Sequence, residues 1–169
     1  MAFYLCEGVS EYEIVAVNDS IGKNSSQSMD HAIQTTIRAA LIEGGLLFGL
    51  ILLGSGVLPE AFDIDNEATA RLASTMLMIL SPTALFICLT RVLAIFYQYT
   101  RRIPRTLILF GTAIALFPIL FSRLLGSIAP EGIAVGIALG PIVAFILMVI
   151  YVRFIKKEKL FDYALMRLD

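Results

Sequence analysis

Tryptophan is absent, histidine occurs once, at His31, and cysteine twice, at Cys6 and Cys88. A single histidine rules out the His-rich metal sites. Two widely separated cysteines form neither a disulfide framework nor a metal-ligand pattern, and Cys88, inside an apolar run, reads as a small packing residue. Without tryptophan, any aromatic belt has to come from the 6 tyrosines and 11 phenylalanines. Charge is scarce as well: Asp, Glu, Lys and Arg make up 16% of the 169 residues. A soluble domain of this size needs far more to cover its surface, which speaks against a soluble enzyme or a DNA-binding domain. Acids and bases nearly cancel, 14 against 13, so there is no basic excess to attract nucleic acid, and no nucleic-acid partner is expected.

Catalytic patterns are also missing. The chain has no H-E-x-x-H, no P-loop, no paired aspartates within an apolar run and no Ser–His pair there. No catalytic residue, metal ligand or cofactor is therefore expected, and the chain is not read as an enzyme. The N-terminus is not a signal peptide. Met1–Cys6 is short, and Glu7, Glu11 and Glu13 follow it where a positive start and a longer apolar core would be needed. Insertion is expected to use the later apolar segments.

Those segments dominate. Hydrophobic residues make up 58% of the chain and mean hydropathy is +0.83. The fold class that follows is all-α, a polytopic membrane protein with four transmembrane helices in an antiparallel bundle. The spans read from the sequence are Ala39–Leu58, Leu72–Thr90, Thr106–Ser122 and Gly132–Val152. About 20 helical residues cover roughly 30 Å, the thickness of the hydrocarbon core. An amphipathic lead-in starts near Ser28–Asp30, with Asp30 as its cap and Ala32, Ile33, Ile37 and Leu41 at helical spacing. Upstream, Tyr12–Val17 alternates weakly, suggesting a short strand or an irregular piece, and residues 18–26 read as a polar loop. Three parts result: a polar N-terminal segment (1–29), the lead-in with the four spans (30–155) and a basic amphipathic tail (156–169).

Lysine and arginine beside the spans set their direction. Arg101, Arg102 and Arg105 lie between the second and third spans, and Arg153, Lys156, Lys157 and Lys159 follow the fourth. The connection between the first two spans carries Glu60, Asp63, Asp65 and Glu67 instead. Both termini are thus expected in the cytoplasm, most simply beneath the plasma (inner) membrane.

Few residues within the spans invite a functional reading. Gly132, Gly136 and Gly140 form a stripe at four-residue spacing, and Gly45 and Gly49 a shorter one. Such stripes let helix backbones approach, either within the chain or toward helices of another part or another chain. Glu43 is the one acid inside a span. It reads as an interfacial carboxylate or as part of a proton relay. Arg91 and Arg123 interrupt apolar stretches and either reach for headgroups or face a cavity and bind an anion. Arg91, Tyr97, Gln98, Tyr99, Arg101 and Arg102 form a polar, aromatic cluster suited to anchoring or to lipid phosphate. Pro82, Pro118 and Pro141 are candidate bends or hinges.

The order of features then suggests a family. A polar loop and amphipathic lead-in precede a glycine-rich span, Gly44–Gly56. An acidic connection follows, then a span ending Leu89-Thr90-Arg91 with Phe96-Tyr97-Gln98-Tyr99-Thr100-Arg101. The last of two further spans opens Gly132-Ile133-Ala134-Val135-Gly136. This layout, over about residues 27–157, resembles the last four spans of multidrug and toxic compound extrusion (MATE) transporters. The resemblance implies ion-coupled efflux of small organic compounds by a complete twelve-span transporter. It assigns no cation or substrate residue here, because the family's main carboxylates belong to the first half. The other reading is a small non-catalytic membrane subunit or scaffold. In both, the partners are the lipid bilayer and further transmembrane helices, and the sequence names no substrate.

Overall fold

The computed structural model describes residues 7–61 and 66–163, and among these every regular element is helical. The acids Asp63 and Asp65 and the tail residues 164–169 lie outside that range. Helix α1 is Glu7–Gly22, α2 Ser26–Gly54, α3 Leu58–Ala61 and α4 Glu67–Tyr99. The third span is α5 (Ile103–Phe110), a π-helical segment (Gly111–Leu116) and α6 (Phe117–Gly126) in series. The fourth is α7 (Glu131–Ile150) continued by a second π-helical segment, Tyr151–Ile155. Four helical stretches, Ser26–Gly54, Glu67–Tyr99, Ile103–Gly126 and Glu131–Ile155, are long and apolar enough to cross a membrane. The chain is an antiparallel helical bundle with four spans.

Helix α1 corrects the expected strand at Tyr12–Val17 and much of the expected loop. Its sequence is barely amphipathic, but Ser10, Glu13, Val17 and Ser20 fall on one face and are buried. That face packs on α2 and α4. Docking stabilises a helix that propensity alone leaves marginal. The helix ends in a Schellman turn: Ser25 N–H donates to Ser20 C=O at 3.2 Å and Asn24 N–H to Ile21 C=O at 3.1 Å. Asn24 takes the left-handed conformation (φ 50°) that this turn requires. Ser25 then caps the next helix, its Oγ accepting from Ser28 N–H. So α2 starts at Ser26, and Asp30 is not its cap. Asp30 Oδ1 instead accepts from the Tyr163 hydroxyl at 3.0 Å.

Helix α4 ends in the same way. Arg102 N–H reaches Tyr97 C=O at 2.7 Å, Arg101 N–H reaches Gln98 C=O at 3.3 Å, and Arg101 has φ 61°. The turn sends α5 back beside α4, where Thr106 Oγ1 donates to Ala94 C=O at 3.0 Å.

Packing within the bundle is uneven. α4 packs on α1, α2, α5 and α7, while α6 packs on α7. The second, third and fourth spans thus form one cluster, and the first attaches to it chiefly through α4. The core, with Met29, Leu93, Phe96, Tyr97, Leu109 and Val152 fully buried, sits toward the end shared by α1, the α4–α5 turn and the start of the tail. Cys88 is buried there against Ala40 and Val92. It is also disulfide-bonded, which corrects its reading as a packing residue alone. The sequence has one other cysteine, Cys6, outside the described residues.

The helix runs on through Pro82. Proline cannot donate to the carbonyl four residues back, at Met78. Ser81 Oγ supplies that bond at 2.8 Å, as membrane helices require. Pro118 follows the first π-helical segment, where Phe117 N–H reaches back five residues to Thr112 C=O. Pro141 lies inside α7.

Candidate functional site

The glycine stripes part company. A methyl group at Gly132 would stand 2.1 Å from Leu125 O, one at Gly136 2.2 Å from Ser122 N, and one at Gly140 2.3 Å from Pro118 Cγ. These three glycines bring the backbones of α6 and α7 together, and Ser122 Oγ adds a hydrogen bond to Ile133 C=O at 3.1 Å. Gly45 and Gly49 face nothing within 4 Å. The close approach on α2 belongs to Gly44, whose methyl would meet Leu85 Cα at 2.9 Å. Packing on α2 thus runs through Gly44, and the Gly45–Gly49 stripe meets no other part of the described chain.

Glu43 and Arg91 come together; Arg123 does not join them. Arg91 Nη2 lies 4.0 Å from Glu7 Oε1 on α1 and is near enough to Glu43 on α2 to act on its charge. One guanidinium on α4 therefore lies within electrostatic reach of a carboxylate on α1 and of another on α2. Glu43 Oε2 is buried without a hydrogen bond. The same side chain borders an open groove of about 480 Å³ with Ala39, Ile42, Leu46 and Leu47. Arg123 is exposed in the last turn of α6, at the opposite end.

A second polar feature lies between spans. A cavity of about 140 Å³ is enclosed by α4, the third span and α7, with Thr83, Thr90, Ile114, Pro118, Ile137 and Pro141 among its walls. Thr36, Thr75, Thr100 and Thr112 each donate to a carbonyl one turn back. Thr83 Oγ1 and Thr90 Oγ1 are buried with no partner. Pro118 and Pro141 lack the N–H that would serve the carbonyls of Ile114 and Ile137, and both those residues line the cavity. Two of the three candidate hinge prolines thus border one cavity that also holds two unpaired threonine hydroxyls.

The basic connection is more than a topology signal. Arg102 is buried and pairs through Nη1 with Glu158 and through Nη2 with Asp162 at 2.6 Å. Arg105 shares Glu158 at 2.8 Å, and its guanidinium lies 5.6 Å over the Tyr97 ring. The Arg105 hydrogen bond, with Arg102 beside it, holds the Glu158 carboxyl below the usual carboxylate range. Burial acts against the Arg102 charge, but its bonds to Glu158 and Asp162 outweigh this and hold it above its ordinary value. Phe161 closes edge-on over Phe96, centroids 5.0 Å apart. The described start of the tail is thus an irregular strap across the α4–α5 turn.

Glu13 is the residue sequence reasoning missed. It is 2% exposed, Oε2 has no partner, and burial pushes its carboxyl up to about 9. Its position in the stripe Ser10–Glu13–Val17–Ser20 was the available signal. The strap had one too: Glu158 and Asp162 share a four-residue spacing that matches a basic connection.

Among the described residues no cluster of His, Cys, Asp or Glu could hold a metal ion. Comparison with protein-family models, with curated proteins and with solved structures returned no match.

Proposed function

We propose that this chain is a non-catalytic helical part of a larger membrane assembly, corresponding to the C-terminal four spans of a MATE-type, ion-coupled exporter of small organic compounds. The uncovered face of α2 carries this reading. It presents Gly45 and Gly49 with nothing of the described chain against them, beside a carboxylate in an open groove. Small residues at a membrane helix surface gain contact energy only when another helix meets them, and a carboxylate facing lipid is costly. In this proposal, helices of the remaining transporter cover that face. The Thr83–Thr90 cavity supports it further, since transporter sites lie near mid-depth where proline-interrupted helices leave backbone carbonyls to bind.

A second reading, a small subunit or scaffold packing on another chain, is favoured by one observation. No carboxylate lines the Thr83–Thr90 cavity, so the spans that enclose it hold no coupling acid there. The two readings separate on the mass of the native polypeptide in membranes of the source cell. A species several-fold above 18.5 kDa is expected for the transporter part. One near 18.5 kDa would overturn it in favour of the subunit.

For orientation we place both termini in the cytoplasm, under the plasma membrane, on the strength of the basic residues gathered at one end. Disulfides persist most readily in oxidising compartments, so accessibility has to decide. A cysteine at Gly56, exposed in the connection after α2, should react with an impermeant reagent added to intact cells. Labelling only after lysis would reverse the orientation.

A further inference from the structure

A larger cavity than the Thr83–Thr90 one lies elsewhere, along the seam between the third and fourth spans. It measures about 560 Å³. Arg102, Arg105 and Lys156 border it at the end of the bundle that carries the tail, and Ile108, Phe117 and Ala144 line it deeper in. From Arg102 to Phe117 the third span rises about 20 Å, somewhat more than one leaflet of a hydrocarbon core roughly 30 Å thick. The groove is therefore charged at the membrane surface and apolar for the depth of a leaflet.

Both π-helical segments border it, through Thr112 in the first and Tyr151 in the second. Such wide turns are rare and often mark functional sites; here two border one groove. The charge around it is one-sided. Residues 101–105 and 153–163 hold seven basic side chains against two acids, Glu158 and Asp162. Both acids are already engaged by Arg102 and Arg105. Arg102 keeps an unused donor, its buried Nε, which has no hydrogen-bond partner. Lys156 has its ammonium 5.8 Å over the Tyr151 ring, a contact that leaves its N–H donors available.

We infer that this groove is a specific site for an anionic phospholipid, its phosphate between Lys156 and the Arg102–Arg105 pair and one acyl chain along Ile108, Phe117 and Ala144. The occupant follows from charge complementarity and depth together. A free phosphate would use the mouth and leave the apolar length empty, whereas a neutral lipid or an apolar helix would leave the cations unmatched. The inference requires only that the chain sits in a membrane, and it stands apart from the transporter reading.

The test uses the whole chain in a neutral detergent, with bound lipid counted by native mass spectrometry. Phosphatidylglycerol, phosphatidylcholine and inorganic phosphate are supplied in turn. Phosphatidylglycerol should be retained at least fivefold better than phosphatidylcholine. Lys156→Gln should lower that retention about fivefold, a surface cation's contribution of about 1 kcal/mol expressed as a ratio. Leu147→Trp, which fills the groove from its wall, should lower retention of the lipid without touching a charge. Arg102 and Arg105 stay unaltered because they brace the tail. Equal retention of the two lipids, as for a groove that merely faces bulk lipid or a further helix, would overturn the inference. So would phosphatidylglycerol binding that both variants leave intact. Inorganic phosphate displacing the lipid signal at equal concentration would reassign the site to a free anion and overturn the lipid.

Discussion

The α6–α7 hairpin and the first span carry the same sequence device and use it differently. In the hairpin, Gly132, Gly136 and Gly140 place one backbone against another. On α2, Gly45 and Gly49 have the same four-residue spacing and meet nothing among the described residues. The difference lies in the connection. Only residues 127–130 separate α6 from α7, so the two helices must lie side by side, and the stripe has a partner at once. Helix α2 is followed by a longer connection containing α3, and it meets α4 through Gly44, one position round the helix. Spacing of small residues therefore marks a surface able to pack; the chain's connections decide what packs on it.

The largest expected effect tests this contrast directly. Gly136→Leu forces a side chain into the Ser122 backbone and should cost about 3 kcal/mol or more in stability, at or above the upper range for overpacking. Gly49→Leu should stay within about 0.5 kcal/mol, as for a surface position. Reversible denaturation of each variant in detergent micelles measures both. Equal costs would mean that the two stripes are packed alike, and the comparison would fail.

The second effect loosens the first span's side and spares the hairpin. Glu13, on the helix that bridges α2 and α4, stays neutral in the fold until about pH 9, against an ordinary value of 4.5. Between those values the folded chain binds a proton that the unfolded chain has released. Docking of α1 should therefore be strongest in acid and weaken as pH rises through that window, by at most about 1.4 kcal/mol per pH unit. Above about pH 9 the dependence should flatten. Hydrogen exchange of α1 amides as a function of pH measures this, and Glu13→Gln should remove the slope while leaving α6 and α7 amides unaffected.

These cases also show what the sequence could reveal. The four spans were legible because runs of uncharged residues long enough to cross a bilayer have no other use, and the basic residues beside them grouped the ends that the structure brings together. Helix α1 was not legible: its buried face is Ser10, Glu13, Val17 and Ser20, mostly polar, so no hydrophobic period announced it. Ser25 was overlooked as a cap because the loop around it is full of equally good capping residues. Glu43 and Arg91 could be singled out one by one, as charges within apolar runs. Their approach depends on how α2 and α4 cross, which periodicity does not encode. The strap over Arg102 joins positions more than fifty apart in the chain; the spacing of Glu158 and Asp162 marks an acidic pair but not the arginines it meets.

A third effect, smaller, sharpens the comparison from within α2. Gly44→Ala places a methyl 2.9 Å from Leu85 Cα and 3.0 Å from Leu85 Cδ1. The Leu85 side chain can rotate away but its backbone cannot, so a cost of about 1–2 kcal/mol is expected. Gly45→Ala, with open space at its Cβ position, should be neutral or slightly stabilising, because alanine favours the helix. The same denaturation measurement separates these neighbours. A reversed order would place the α2–α4 contact on the other glycine.

The smallest effect asks whether the hairpin is held by shape alone. Ser122 Oγ donates to Ile133 C=O across the α6–α7 interface at 3.1 Å, beside the backbone that Gly136 approaches. Hydrogen bonds between membrane helices contribute about 0.6 kcal/mol on average, because the separated helices also find partners. Ser122→Ala should therefore cost about that much, several times less than Gly136→Leu. Combining Ser122→Ala with Gly136→Ala gives the decisive reading. If close contact positions the hydroxyl, the methyl at Gly136 will already have broken the bond, and the second change will add almost nothing. If the bond forms independently of the glycine contact, the two costs will add, and the stripe will have to share with Ser122 the work of holding the fourth span to the third.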